Sequence, residues 1–152
     1  MQLSCGQYGS ALIAASYGGE HIVSKLIKAG ADVNLRSKIG RYGSALVAAA
    51  ANAKIVAMEP CVVVDTDIMR LLLAAGAEAN LQLNTGKYGS ALAAASAGSD
   101  GGSVVAQLLL DWGANINMTL ENGEFRTALE AARGSPQRNN DLEKLLLENG
   151  AK

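Results

Sequence analysis

Tyr-Gly-Ser-Ala-Leu occurs three times in this chain, beginning at Tyr8, Tyr42 and Tyr88, and a diverged fourth copy reads Phe125-Arg126-Thr127-Ala128-Leu129. A second phrase follows each copy: two apolar residues, two variable residues, then Gly-Ala. It ends at Gly30-Ala31, Gly76-Ala77, Gly113-Ala114 and Gly150-Ala151. Two phrases in fixed order, four times over, describe one supersecondary unit that is stacked, because such a unit buries its apolar face only against its neighbours. A repeated residue then serves the stack, and the residues that differ between units carry specificity.

The hydroxyl residue of the first phrase stands at 10, 44, 90 and 127, so the intervals are 34, 46 and 37 residues. The longest interval marks an insertion in the second unit, at about 54–66. Each unit reads as helix, turn, helix and extended loop. Ser10, Ser44, Ser90 and Thr127 suit the N-cap, where a hydroxyl accepts from an amide of the first turn. Thr127 and Glu130 have the spacing of a capping box. Ala-Leu-x-Ala-Ala then favours helix. First helices are expected over 10–17, 44–58, 90–97 and 127–133, and second helices over 20–29, 67–75, 102–112 and 140–149. Gly30, Gly76, Gly113 and Gly150 fit the left-handed position that ends a helix. The linking segments, such as 32–41 and 78–87, suit hairpin-like loops.

This order, with the ending Leu-Leu-x-x-Gly-Ala-x-x-Asn, resembles the ankyrin repeat. Gly30-Ala31-Asp32-Val33-Asn34 carries that family's phrase in full, and Gly76 to Asn80 and Gly113 to Asn117 carry it with small changes. The chain departs from the family at Thr-Pro-Leu-His, which becomes Ser-Ala-Leu followed by Ile13, Val47 or Ala93, and Thr-Ala-Leu followed by Glu130 in the last unit. The Tyr-Gly-Ser-Ala-Leu variant is similar to ankyrin arrays of many fungal proteins, often the C-terminal tails of NACHT-type signalling ATPases. The resemblance implies an all-α solenoid of four stacked helix-turn-helix units joined by β-hairpin-like loops. It implies one domain over 1–152, with units at about 6–39, 40–85, 86–122 and 123–152. It also implies a protein–protein interaction scaffold without catalysis, docking its partner on the hairpin tips and inner helices. The alternative is a regulatory segment of a larger NACHT-type protein, acting by intramolecular docking or assembly.

The tips are where the units differ. Arg36, Lys38 and Arg41 surround the first inter-unit loop, Lys87 lies on the next, and Glu121 and Glu124 lie on the last. Basic tips can steer an acidic partner segment. Tyr17 and Asn52, at the ends of their first helices, fall where the resemblance places contact residues, and an exposed Tyr suits a hot spot. The repeated aromatics Tyr8, Tyr42, Tyr88 and Phe125 read as packing, since identity between units is unsuited to recognition. The insertion holds Ile55, Val56, Met58, Cys61, Val62, Val63 and Val64 around Pro60. Pro60 is expected to end a lengthened first helix near Met58 or Glu59, Asp65 or Thr66 to cap the second helix, and the apolar loop to fold back on the stack. Trp112 is expected to be half-packed at a helix end.

Composition narrows the function classes. With 13 basic and 14 acidic residues there is no basic excess for nucleic acid, and no apolar run approaches a membrane span. Cys5 and Cys61 give neither a disulfide framework nor a metal spacing. His21 is the only histidine, and neither a nucleophile elbow nor a phosphate loop is present. The sequence therefore reads as a non-enzyme without cofactor, intracellular and cytoplasmic, with a protein partner. Terminal units lacking an evident polar face, notably Ala11, Leu12 and Ile13, give an expectation of self-association through an end of the stack.

Overall fold

The computed structural model describes residues 9–58, 61–98, 101–135 and 140–152. Tyr8, Cys5, the start of the first unit at Gly6, and Pro60 lie outside the described residues. Among those described are eight α-helices: α1 (Ala11–Ala15), α2 (Glu20–Lys28), α3 (Ala45–Ala51), α4 (Asp67–Ala74), α5 (Ala91–Gly98), α6 (Gly102–Asp111), α7 (Ala128–Gly134) and α8 (Asn140–Glu148). They pack in pairs in chain order, α1 with α2 through α7 with α8, and the first helices pack in the row α1, α3, α5, α7.

The local reasons are those of hydroxyl and glycine chemistry. Ser10, Ser44, Ser90 and Thr127 each accept, through the side-chain oxygen, from the amide three residues on, at 3.1–3.3 Å. Such a cap stabilises a helix by about 1 kcal/mol. The capping box is offset by one residue: Glu130 reaches back to the Arg126 amide at 2.7 Å instead of to Thr127. At the other end of each unit the second helix closes in the same way. The amides of Ala31, Ala77, Ala114 and Ala151 donate to the carbonyls of Leu26, Leu72, Leu109 and Leu146, all at 2.9 Å. The intervening glycines have φ between 80° and 91°, so they provide the left-handed residue this closure requires.

Alanine decides how tightly the first helices pack. Ala48, Ala50 and Ala94 are fully buried, and their short side chains let α3 and α5 approach. Larger residues on the second helices, including Val23, Leu72, Leu109 and Leu146, fill the space between the two rows. Leu12 and Ile13 are buried within the chain, so of that trio only Ala11 is exposed.

The insertion corrects the sequence expectation. α3 stops at Ala51, with Asn52 as its C-cap, and does not continue to Met58. In place of a longer helix, β1 (Ile55–Met58) pairs antiparallel with β2 (Cys61–Val64), in the register Ile55 to Val64 and Met58 to Cys61. β-branched residues on both arms favour a pleated pair over helix. The Asp65 amide donates to the Lys54 carbonyl at 2.9 Å and continues the ladder. Thr66 stands at the N-cap of α4 but makes no side-chain cap bond, against the sequence expectation: its hydroxyl accepts from Arg70 Nε, and the Asp65 carboxylate accepts from the Asp67 amide at 3.2 Å in the turn that leads into the helix.

Candidate functional site

The inter-unit loops contain no strands, yet each is closed by one backbone hydrogen bond. Ser37 donates to Gly43, Leu83 to Gly89 and Leu120 to Arg126, at 2.7–2.8 Å. Neighbouring loops are then joined edge to edge: the Lys87 amide donates to the Arg41 carbonyl at 2.9 Å, and the Glu124 amide to the Lys87 carbonyl at 3.0 Å. These two bonds set Arg41, Lys87 and Glu124 in one column. Each stands immediately before its unit's aromatic residue.

Behind the column the aromatics meet. Tyr42 and Tyr88 stack with centroids 6.5 Å apart, and Tyr17 meets Tyr42 at 6.1 Å with a 46° tilt. Tyr42 and Tyr88 are only 7% and 6% exposed, while Tyr17 is 41% exposed. Tyr42 and Tyr88 are thus packing residues, and Tyr17 is the one of the three that solvent reaches. Asn52 positions it, donating from Nδ2 to the Tyr17 carbonyl at 3.3 Å. Beside Tyr17 and Asn52 a cleft of about 210 Å³ opens, with Lys54 and Asp65 at its sides and Ala49 and Met69 among its lining.

The cations lie on these rings. Arg41 Cζ is 5.8 Å from the Tyr42 centroid and Lys87 Nζ is 5.3 Å from that of Tyr88, distances at which the ring quadrupole attracts a cation. The hydrogen bond with the Tyr88 side chain, then the pull of Tyr88 and Tyr42, hold the Arg41 pKa above its ordinary value against the opposing effect of burial. Lys87 also pairs with Glu124 at 3.4 Å. Among the described residues no carboxylate pairs with Arg41.

Five of the seven residues singled out from the sequence, Tyr17, Arg41, Asn52, Lys87 and Glu124, therefore belong to one connected surface. Arg36 and Lys38 are exposed on the first loop and lie outside the column. Their loop is tied to its neighbour through Ser37, whose carbonyl accepts from Thr85 Oγ1 at 2.6 Å. Trp112 caps α6 and is half-exposed.

Sequence reasoning missed the staples that hold the loops in line. Asn34, Asn80 and Asn117 each donate from Nδ2 to the carbonyl of the next unit's terminal glycine (Gly76, Gly113 and Gly150) at 2.8–3.0 Å. Each also accepts at Oδ1 from the amide two residues beyond that glycine, at Glu78, Asn115 and Lys152. The signal was the asparagine four places after each Gly, an amide repeated where a loop needs only a polar residue.

Among the described residues no group of His, Cys, Asp and Glu is placed to hold a metal ion, and no helix is long and apolar enough to cross a membrane. Residues 10–38 match the family model of the ankyrin repeat. That segment spans α1, α2 and the first loop, and together with the recurring helix pairs it supports an ankyrin-repeat domain. No curated protein matches the chain.

Proposed function

We propose that the four helix pairs are four ankyrin units forming a protein-binding module, and that its partner docks along the loop column through an acidic segment. Ankyrin repeats are in general non-catalytic protein-interaction modules, which supplies the class. The observation that carries the choice of face is the joining of Arg41 and Lys87 on the tyrosine ladder, with exposed Tyr17 against Tyr42. A rigid aromatic beside fixed cations offers apolar area and charge without ordering a loop on binding. Arg36 and Lys38 extend the positive field and act on the association rate more than on residence.

Affinity capture with quantitative mass spectrometry tests this reading. A partner retained by the wild type is expected to be lost with Arg41→Glu and with Tyr17→Ala, and kept with Val104→Asp on the exposed side of α6. A partner lost with Val104→Asp and kept with the other two would place docking on the second helices. A regulatory module acting within a longer polypeptide would show the same variant pattern toward a neighbouring domain of that polypeptide. Self-association through an end of the stack predicts a mass by light scattering that rises with concentration above the 15.6 kDa monomer.

A further inference from the structure

The three residues of the column do not have equal freedom. Glu124 is fastened beside Lys87 twice, through its amide on the Lys87 carbonyl and through its carboxylate 3.4 Å from Nζ. Both side chains remain accessible, at 33% for Lys87 and 55% for Glu124. One step back along the column the arrangement changes sign. The residue joined to Arg41 by the same backbone bond is Lys87, a like charge, and no carboxylate pairs with Arg41 among the described residues. Arg41 thus leans on Tyr42 and Tyr88 and has no carboxylate partner among the described residues, while Lys87 is paired with a carboxylate from within the chain.

We propose that Glu124 is a built-in competitor for Lys87 that shapes which acidic segments this surface accepts, an inference that rests on the docking face proposed above. A partner carboxylate seats on Arg41 without displacing another carboxylate. A second one reaches Lys87 only by exchanging with the Glu124 carboxylate, so it gains less there than at Arg41. With Arg41 positive and the Lys87–Glu124 pair neutral as a unit, the column therefore favours an extended protein segment with its acidic residues gathered toward Arg41, and binds less tightly than two free cations would a segment that is acidic along its whole length. Exposure of the Lys87–Glu124 pair keeps the exchange shallow, because a solvent-exposed ion pair is weak. The device tunes selectivity and does not close the site.

The test uses a fluorescently labelled octaglutamate peptide and the full chain, followed by anisotropy at low ionic strength. Glu124→Gln is expected to tighten binding about two- to fivefold, the range of an exposed ion pair. Glu121→Gln is the control: it removes the same charge from the same loop at a residue that forms no ion pair with Lys87 among the described residues, and is expected to change affinity by less than half as much. In a Lys87→Gln background the gain from Glu124→Gln is expected to fall to that of the Glu121 control. Equal gains from Glu121→Gln and Glu124→Gln, or a gain that survives Lys87→Gln, would overturn the competitor while leaving the acidic-partner reading in place. Absence of peptide binding in every variant would overturn both. An oligothymidylate of equal charge that bound as well, with the same Glu124 response, would overturn the assignment to a protein segment.

Discussion

Asn80 donates from its Nδ2 to the carbonyl of Gly113 at 2.8 Å, and its Oδ1 accepts from the Asn115 amide at 2.6 Å. One side chain thus satisfies an acceptor and a donor in the turn of the following unit. The turn is exposed, so water replaces part of what a substitution removes, and each bond contributes about 0.5–1.5 kcal/mol net. Asn80→Ala is expected to cost about 1–2 kcal/mol in urea unfolding. Asn80→Asp keeps the acceptor, loses the donor, and is expected to cost less. A cost equal to that of an exposed asparagine without partners, near zero, would remove the staple from the account of stacking.

Gly43 separates backbone strain from steric exclusion. Its φ is 71°, and a Cβ there would lie 2.8 Å from Leu83 Cδ1 and 2.9 Å from the Thr85 carbonyl oxygen. Gly30 has a similar φ of 82° with nothing within 4 Å of the same atom. Gly30→Ala is expected to cost about 1–2 kcal/mol from the dihedral alone. Gly43→Ala is expected to cost about 1–3 kcal/mol more, because the next loop has to move. Equal costs in thermal unfolding would mean that the loops are not packed as closely as these distances require.

The tyrosine ladder predicts opposite outcomes for its buried and its exposed members. Tyr42 is buried between Tyr17 and Tyr88 under Arg41, and an aromatic pair contributes about 0.5–1.5 kcal/mol beyond area. Tyr42→Leu is expected to lower stability by about 2 kcal/mol. Tyr17→Leu, at the exposed member, is expected to lower it by less than about 1 kcal/mol while weakening partner binding. Stability measured by denaturant and affinity measured on the same samples distinguish the roles; a Tyr17 variant that unfolds as readily as the Tyr42 variant would make Tyr17 a structural residue.

What the sequence disclosed follows the range over which the physics acts. Ser44 capping Val47 and Gly76 closing on Leu72 through Ala77 act within one turn of helix, so residue type and spacing reveal them. The insertion was misread because Ile55–Met58 prolongs the apolar run that α3 begins, and an apolar run does not by itself distinguish helix from strand. The β-branched Ile55, Val56 and Val62–Val64, placed symmetrically about a short connection, were the better guide. The Asn80 staple and the Arg41–Lys87–Glu124 column join residues 33 or more positions apart, and no local pattern states which atoms meet. Repetition marked those residues as different or alike between units, but only geometry made them partners.

The last prediction concerns where the hairpin rests. Gly101, the N-cap of α6, is buried and has φ −92°, a value open to any residue, so alanine there meets no dihedral penalty. Its Cβ would nevertheless overlap Val64 Cγ1 and lie 2.9 Å from Cγ2. The end of β2 is therefore seated on the start of α6. Gly101→Ala is expected to cost about 1–3 kcal/mol by overpacking, or to displace the hairpin. Val64→Ala, which removes the two methyl groups in the way, is expected to recover most of that cost in the double variant, giving a coupling of about 1 kcal/mol or more in a double-mutant cycle. Additive effects, with coupling near zero, would show that the hairpin stands away from the stack and would leave its strands open to another chain.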